Sequence, residues 1–351
     1  MRNARTTRRR SVKIGLPAAL LVLLLAVFAA GCGGGDSTTG SDSGSSGGGK
    51  LDVVGYSTPE AVYTEAIEPA FEESSKGAGV SFSNSFGASG DQSRAVAAGQ
   101  PASVVHFAQG GDMERLVEEG EIVAKDWNKQ PYDGIAQNSV VVITVRSGNP
   151  EGIKSFEDVL TKDVDVVTPN PFSSGAARWN IMAVYGSEIN AGKSPDEALA
   201  AVKTLLEKAV AQPGSARDAL SAFTQGQGDV LLGYENEAIK AEEEGEDVEY
   251  VIPPSTIQIE TPIAVTKDAP EPAAQDFLDF IWSDAGQEIW AENGYRPVDQ
   301  KLVDPKQFPT PDDLFTIDQF GGWGKVNDDF FDDETGSVAE IEKELGVSTS
   351  G

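Results

Sequence analysis

The stretch of sequence that decides the fold is TPNPFSSGAARWN, which runs from Thr168 to Asn180. The apolar run from Val164 to Val167 leads into it and predicts a strand. Two prolines then keep the chain extended, and a short turn of small residues follows them. The residues from Ala176 to Tyr185 have good helix composition, so the sequence predicts a strand, a turn and a helix in immediate succession.

The start of this predicted helix is a candidate site for an anion. The first N–H groups of a helix have no partner inside the helix, and the helix macrodipole adds partial positive charge there. Gly175 and Ala176 carry little or no side chain, so a small anion could reach those N–H groups directly. Ser174 is open to a second interpretation, because serine is a preferred N-terminal cap and its side chain could simply cap the helix.

The N-terminal residues have the pattern of a secretion signal, which we assign to residues 1–31. The run from Ile14 to Ala30 is apolar throughout and short for a membrane span. It follows a basic start that contains Arg2, Arg5, Arg8, Arg9, Arg10 and Lys13. The Arg8–Arg9 pair leaves open whether export follows the general secretion pathway or the twin-arginine pathway.

Cys32 directly follows the small residues that close the signal. This arrangement resembles a bacterial lipobox, which implies cleavage before Cys32 and attachment of lipid to its sulfur; an ordinary signal with an incidental cysteine is the alternative. Residues 32–50 are almost wholly Gly, Ser, Thr and Asp after the cysteine, a composition typical of a flexible linker. We therefore expect a domain tethered to the outer face of the cytoplasmic membrane.

The composition excludes several classes of function. The chain of 351 residues has a formal net charge of −29 at pH 7, which argues against a nucleic-acid partner. One cysteine and one histidine argue against disulfides, zinc sites and a Ser-His-Asp triad, so we expect no metal, no cofactor and no enzymatic activity. The histidine, His106, lies in an apolar run and is predicted to be a buried or edge residue with satisfied hydrogen bonds.

Strand-like runs alternate with helical patterns along the rest of the chain, and this predicts a mixed α/β protein with largely parallel sheets. Val140–Val145 and Pro262–Thr266 are two of the strand-like runs, and Pro195–Ala211 is the longest helical pattern. In such sheets, ligands bind beyond the carboxyl ends of the strands, where helices begin.

Four places repeat the arrangement of small residues at a predicted helix start: Tyr56–Glu60, Phe86–Gln92, Ser173–Ala176 and Pro213–Asp218. Ser57 with Glu60 and Ser215 with Asp218 have the spacing of a capping box. Ser194 has the same pattern before a long amphipathic helix, where we expect only a structural cap. One such loop means little, but four together could surround one small oxyanion with N–H groups and hydroxyls.

Six strings in this chain occur in the order and spacing typical of the bacterial sulfate- and thiosulfate-binding proteins of ABC importers. They are GASGDQ, TPNPFSSGAARWN, GSAR, GDVLLGYENEA, GYRP and LFTIDQFGGW. The chain resembles this family from about Leu51 to Phe331. The resemblance implies the two-lobed type II periplasmic-binding fold, in which each lobe is a mixed, mostly parallel sheet flanked by helices and a strand hinge joins the lobes.

The resemblance also implies a division of the chain, with crossings between the lobes near Asn138 and Ser255. Lobe I is expected to comprise residues 51–137 with 256–331, and lobe II residues 138–255. Residues 332–351 are expected to form an acidic tail that is partly disordered beyond one short helix. We expect a monomer.

In this family a fully ionised sulfate is held almost wholly by backbone N–H groups, and the resemblance carries that role to particular residues here. The implied ligand-binding residues are Ser57, Ser89, Ser174, Gly175, Ala176, Ala216 and Tyr234. Ser89 and Ser174 are expected to add their hydroxyls. Ser57 stands where the family usually has Asp, and Ala176 replaces the usual Gly.

Tyr234 stands where the family has a tryptophan, whose indole can only donate a hydrogen bond, whereas a phenol can donate or accept. Asp91 stands where the family often has a lysine. Either residue could accept a proton from a protonated oxyanion; alternatively, Tyr234 simply replaces the donor and Asp91 stabilises its helix start. Arg178 and Arg217 could pair directly with the anion, but we expect them to pair with carboxylates one layer further out.

The expected function is a lipid-anchored receptor that closes two lobes over sulfate or thiosulfate and delivers it to an ABC permease. A receptor for phosphate, molybdate or a cationic polyamine is the alternative, although polyamine sites need aromatic walls and carboxylates. An extracellular sulfate-ester hydrolase would need a nucleophile with a base, or a metal, and the sequence offers neither constellation.

Overall fold

We describe residues 49–349 of the protein from a computed structural model. Ten β-strands form one mixed sheet in this part of the chain. They are β1 (Lys50–Tyr56), β2 (Ser81–Gly87), β3 (Val104–His106), β4 (Ile135–Arg146), β5 (Val166–Val167), β6 (Ala209–Ala211), β7 (Val230–Tyr234), β8 (Val248–Val251), β9 (Ser255–Val265) and β10 (Asp313–Phe315).

Helices flank this sheet, and most of them follow a strand directly. They are α1 (Glu60–Val62), α2 (Glu68–Glu73), α3 (Ser89–Ala97), α4 (Gly110–Glu118), α5 (Phe156–Thr161), α6 (Gly175–Asn190), α7 (Pro195–Glu207), α8 (Ala216–Thr224), α9 (Glu235–Glu243), α10 (Ala273–Ile281), α11 (Asp284–Glu292), α12 (Gly322–Val326) and α13 (Ser337–Leu345). A turn of π-helix at Tyr63–Ile67 joins α1 to α2.

The strand order is β2-β1-β3-β9-β4-β7-β5-β6, with β8 beside β4 and β10 beside β9. We call β1, β2 and β3 the first half of the sheet, and β5, β6, β7 and β8 the second half. Strands within β1–β3 and within β5–β7 run parallel to their neighbours, as β10 does to β9. Strands β4 and β9 run antiparallel to each other, β4 also to β7 and β8, and β9 also to β3. The predicted α/β class is therefore confirmed.

The long strands β4 and β9 connect the two halves. They pair with each other over Ile135–Val140 and Gln258–Pro262. Beyond that segment, β4 pairs with β7 and β8, and β9 pairs with β3. The sequence analysis recognised only the apolar part of each strand, because the shared segment carries polar residues such as Gln137 and Glu260. The boundaries of the two lobes stay a prediction.

The C-terminal residues pack with the second half. Phe315, Trp323, Phe331, Val338 and Ile341 belong to the hydrophobic core that also contains the buried side chains of β4, α6 and α7. Helix α13 thus lies on the core of the second half, inside the tail for which the sequence analysis expected one short helix and fraying beyond it.

One predicted element is wrong. The helical pattern from Pro195 to Ala211 ends at Glu207, and Ala209–Ala211 is strand β6, which pairs with β5. The alanine and valine residues of this segment do not by themselves indicate that the helix ends and a strand begins. The strand forms because β5 provides an edge with which it can pair.

The expected signal peptide, the lipidated Cys32 and all but the end of the linker lie outside the described residues. Within residues 49–349, the structure contains no helix that is both long enough and apolar enough to cross a membrane.

His106 confirms the expectation of a buried, hydrogen-bonded histidine. Thr261 donates its hydroxyl proton to the Gln137 carbonyl at 3.0 Å, so its oxygen accepts from Nε2–H of His106 at 3.1 Å. The other ring nitrogen, Nδ1, then accepts from the Tyr63 hydroxyl at 2.9 Å. Burial lowers the pKa of His106 from 6.5 to about 3, so the ring is neutral at physiological pH.

Because the folded state keeps His106 neutral, the protein should lose stability as the pH falls below 6.5, where only the unfolded chain takes up this proton. Replacing His106 with glutamine should remove this loss, which amounts to about 2 kcal/mol at pH 5. Urea unfolding at pH 7.5 and pH 5 measures it, because the carboxylates contribute equally to both proteins. Equal pH dependence of the two proteins would contradict the assignment.

Candidate functional site

The four predicted loops meet where the two halves of the sheet face each other. The N–H of Gly90 donates to the Ser173 carbonyl at 3.0 Å, and the Ser173 hydroxyl donates to the Gly214 carbonyl at 2.8 Å. Arg217 donates from Nε to the Ser57 carbonyl at 3.1 Å. These contacts join all four loops in one cluster, which we call the loop cluster.

Gly175 lies at a close approach between the halves. A Cβ atom at this position would come within 2.8 Å of the Ala108 Cβ and 3.6 Å of the Ser89 Cβ. Only a residue without a side chain therefore allows the start of α6 to lie against the β3–α4 loop. This contact brings the first N–H groups of α6 next to those of α3.

The starts of the helices in the loop cluster differ from one another in how they are capped. Ser194 forms a complete capping box with Glu197 at the start of α7, as expected, and Ser215 accepts from the Asp218 N–H at 3.2 Å. In contrast, the N-caps of α1, α3 and α6 form no side-chain cap hydrogen bond. The capping interpretation of Ser174 is therefore wrong in this structure, and so is the capping box of Ser57 with Glu60.

Five main-chain N–H groups of the loop cluster have no hydrogen-bond partner among the described residues. They belong to Ser57, Ser89, Gly175, Ala176 and Ala216. All five residues are buried. Since buried N–H groups are almost always paired in folded proteins, these groups call for an acceptor that the chain does not supply. The N–H of Ser174 is different, because it donates to the Asn170 carbonyl at 2.9 Å.

The hydroxyl of Ser89 is already engaged, contrary to the expectation that it would donate to the anion. It donates to Oδ2 of the buried Asp112 at 2.7 Å and accepts from the Ala108 N–H at 2.9 Å. Arg115 holds Asp112 through Oδ1 at 3.1 Å. Asp112 carries no motif that marks it in the sequence, and only its position at the start of α4 brings it to Ser89.

Arg217 contacts carbonyl oxygens rather than the carboxylates that the sequence analysis expected. Its Nη2 donates to the Thr58 carbonyl at 2.8 Å, beside the bond from Nε to Ser57. The guanidinium group thus reaches from α8 in the second half to the start of α1 beside the first half. It brings a positive charge to the loop cluster while two of its donor atoms stay occupied.

Arg178 and Asp91 also lie at the margin of the cluster. Arg178 donates to the Pro171 carbonyl and to Oδ1 of Asn327, both at 2.8 Å, so it too lacks the expected carboxylate partner. Burial lowers the pKa of Arg178 to about 10, which leaves it charged. Asp91 is half exposed and pairs with Arg94, in line with the interpretation that it stabilises the start of α3.

Tyr234 ends strand β7 with its hydroxyl buried and unpartnered among residues 49–349. Its ring lies edge-to-face with that of Tyr56, with 6.2 Å between the ring centroids. Burial raises the pKa of Tyr234 well above its usual value, so the phenol keeps its proton and can donate it.

The sequence analysis missed Trp179, which joins the two halves directly. Its indole N–H donates to the Ala108 carbonyl at 2.6 Å, and its ring packs edge-to-face on Trp323 with 4.6 Å between centroids. Trp179 lies within the opening TPNPFSSGAARWN stretch, and its position four residues after Gly175 on the same helix is the signal that could have identified it.

A buried ion pair lies beside the crossing strands. Arg296 holds both carboxylate oxygens of Glu235, with distances of 2.5 Å and 2.9 Å. The backbone of Arg296 also pairs with Asn138 of β4. Glu235 begins α9 directly after Tyr234, so the pair fixes the end of β7 relative to the crossing strands.

Comparison with known proteins defines the class. Residues 51–296 match the model of a family described as bacterial extracellular solute-binding protein. The chain therefore belongs to this family of solute-binding proteins, which is a family of binding proteins rather than enzymes.

Individual relatives narrow the class. A sulfate-binding protein from Synechococcus elongatus is 37% identical over 81% of this chain and 84% of its own length. A thiosulfate-binding protein from Pseudomonas aeruginosa is 33% identical over 80% of this chain and 88% of its own. The solved structure of the sulfate-binding protein SubI from Mycobacterium tuberculosis is 42% identical, with a TM-score of 0.77 over 81% of this chain and 99% of that one. These matches confirm the expected family and its two-lobed fold.

Replacing Arg296 with methionine should destabilise the protein by roughly 3–5 kcal/mol, because the buried Glu235 carboxylate would lose its counter-ion. Urea unfolding measures this change. The control is Lys76→Met, which breaks an exposed pair with Asp276 and should cost less than about 1 kcal/mol. A loss for Arg296→Met as small as that of the control would show that the pair does not hold this region together.

Proposed function

We propose that the protein captures sulfate in the loop cluster and holds it mainly by backbone N–H groups from both halves of the sheet. The observation that carries this proposal is a set of five N–H groups that have no partner among residues 49–349, at the buried residues Ser57, Ser89, Gly175, Ala176 and Ala216. The N–H groups of Ser57, before α1, and Ser89, at the start of α3, lie beside the first half. The other three lie at the starts of α6 and α8 beside the second half.

The chemistry of this donor set favours an anion that carries no proton. Each unpaired N–H can only donate, and three of the helix starts add the positive end of a dipole. The Tyr234 hydroxyl is a further donor, since its phenol remains protonated. The hydroxyl of Ser174 is available as well, because it caps no N–H group.

The relatives support sulfate or thiosulfate as the ligand, because their names include both anions. Phosphate remains a second candidate on one observation. The Tyr234 oxygen can accept as well as donate, so it could pair with the proton of hydrogen phosphate. Asp91 does not serve as such an acceptor, since it faces solvent and pairs with Arg94.

We further propose that capture is coupled to closure of the two halves and to delivery of the anion to an ABC permease. Closure is supported by the direct bonds across the cleft, at Gly90 with Ser173 and at Trp179 with Ala108. A dianion between the halves would gain its full set of donors only when both meet. Anchoring through Cys32 belongs to this proposal, as does a monomeric receptor.

Titration calorimetry of the secreted form with sulfate, thiosulfate, phosphate and spermidine, at pH 6 and pH 8, tests the ligand. We expect saturable binding of sulfate or thiosulfate and none of spermidine. The tryptophan fluorescence should change on binding, because Trp179 lies at the contact between the halves. Phosphate binding tighter than sulfate would overturn the assignment of the ligand, and no binding of any oxyanion would overturn the function.

Replacing Tyr234 with phenylalanine separates the role of this hydroxyl from its packing. Sulfate affinity should fall ten- to hundredfold, because a hydrogen bond to a charged group contributes roughly 1.5–3 kcal/mol. The ligand-free variant should be as stable as the parent or slightly more so, since its buried hydroxyl has no partner among the described residues.

Calorimetry and urea unfolding measure the two effects of this substitution. Tyr250→Phe is the matched control, because this tyrosine lies on β8 away from the loop cluster and should leave binding unchanged. Undiminished affinity in Tyr234→Phe would remove Tyr234 from the set of ligands.

A further inference from the structure

The side chains of Trp323 and Asn327, which we call the clasp, contact the start of helix α4 across the cleft. Trp323 lies against Gly110, where an added Cβ atom would be 3.3 Å from Cδ1 of the indole ring. Asn327 lies against Gly111, where an added Cβ atom would overlap Nδ2 of the amide and be 3.2 Å from its Cγ. The clasp belongs to the C-terminal segment that packs with the second half, whereas α4 packs with β1 and β3 of the first half.

Both contacts require that the start of α4 carries no side chain. Neither Gly110 nor Gly111 has a positive φ angle, so the conformation of the backbone does not call for glycine at these positions. Glycine is needed because Trp323 and Asn327 occupy the space that a side chain would fill. Gly175 meets the same need at the start of α6, so close packing of main chain is a general feature of the contact between the halves.

The clasp is bound to α6 on its own side of the cleft. The rings of Trp323 and Trp179 lie edge-to-face, with 4.6 Å between their centroids. Oδ1 of Asn327 accepts from Nη1 of Arg178 at 2.8 Å, and the same guanidinium lies over the Phe331 ring, 5.0 Å from its centroid. Helix α6 carries two of the unpaired N–H groups of the loop cluster in its first turn, so the clasp is fixed relative to these donors.

The loop before α4 connects the clasp to the donors of the first half. The N–H of Ala108 donates to the Ser89 hydroxyl at 2.9 Å, and the Ala108 carbonyl accepts from the Trp179 indole at 2.6 Å. The N–H of Gly111 donates to Oε1 of Gln109 at 2.7 Å, which holds the first turn of α4 to this loop. Four consecutive residues therefore contact Ser89 at one end and the clasp at the other.

We propose, on the basis of the function proposed above, that the clasp stabilises the closed arrangement of the two halves, so that Trp323 and Asn327 are positioning residues for anion capture. Neither side chain is among the proposed ligands, and each contacts the main chain of α4 instead. An anion bound to one half alone can leave directly, whereas the donors of both halves surround it once α4 lies against the clasp. The stability of this contact therefore sets how slowly the anion leaves.

Gly111→Ala tests the clasp, because the added methyl group overlaps the Asn327 amide only when the halves are closed. Sulfate affinity should fall roughly tenfold, mainly through faster dissociation, since overpacking a close contact disfavours the closed arrangement. Titration calorimetry measures the affinity, and stopped-flow tryptophan fluorescence measures the rate of dissociation. The ligand-free variant should resist urea as well as the parent does or slightly better, because alanine favours a helix more than glycine.

Asn327→Ala removes the amide and makes room for the methyl group. Gly111→Ala/Asn327→Ala should therefore bind sulfate within about twofold of Asn327→Ala alone, although each single variant binds more weakly than the parent. This comparison separates Asn327 from Gln109, whose Oε1 would be 2.9 Å from the added Cβ atom. Gly324→Ala is the matched control, since a Cβ atom there would be 3.7 Å from its nearest neighbour, Oε2 of Glu114, and should leave affinity and dissociation unchanged.

The outcomes separate the clasp from the proposed function. Unchanged dissociation in Gly111→Ala, or an undiminished effect of the methyl group when Asn327 is alanine, would overturn the clasp while leaving sulfate capture intact. A fall in the ligand-free stability of Gly111→Ala that matches its loss of binding free energy would also overturn the clasp, because it would indicate a defect of folding. Sulfate that fails to bind the parent would overturn the proposed function, and the clasp with it.

Discussion

The proposed site depends on one constraint, which is that a doubly charged anion loses its hydration when it is buried and must find as many hydrogen-bond donors in the protein. In a chain with a net charge of −29, those donors are not supplied by a general positive field. Main-chain N–H groups meet the need because they donate without adding a bulky, strongly hydrated cation. The starts of α3, α6 and α8 collect such groups, and the sheet fixes where those helices begin.

On the proposed function, this constraint explains why the unpaired N–H groups are divided between the two halves. A single helix start offers only a few N–H groups, and their geometry allows an anion to meet them from one side. Helices that start beside opposite halves can surround the anion, provided that the strands which join the halves let them meet. Gly175 permits that approach, and Trp179 fixes it with a hydrogen bond across the cleft. Ser174 at the start of α6 forms no side-chain cap hydrogen bond, whereas Ser194 and Ser215 cap α7 and α8.

The sequence predicted the elements and the loops of the site better than it predicted their partners. Local sequence patterns identified the strand, turn and helix around Ser174, because prolines, small residues and helix formers act over a few positions. It could not show that the Ser89 hydroxyl is bound to Asp112, since that contact joins residues 23 positions apart. It also missed β6, whose pairing partner is distant in sequence, and the polar ends of β4 and β9. The expected carboxylate partners of Arg178 and Arg217 failed for the same reason, because carbonyl oxygens leave no mark in a sequence.

The arginines around the site have a common placement, in which each one binds oxygen atoms of the protein rather than lying among the unpaired N–H groups. Arg217 and Arg178 each bind carbonyl oxygens at the edge of the loop cluster, and Arg115 binds the carboxylate that holds Ser89. Each guanidinium thus helps to hold a segment at the margin of the cluster, and it brings a positive charge near the unpaired N–H groups. Direct contact would give more Coulomb energy, but it would replace several short, rigid donors with one long side chain that must be ordered on binding. A site built from ordered main chain keeps its geometry before the anion arrives, so the free energy of binding is not diminished by the ordering of the donors.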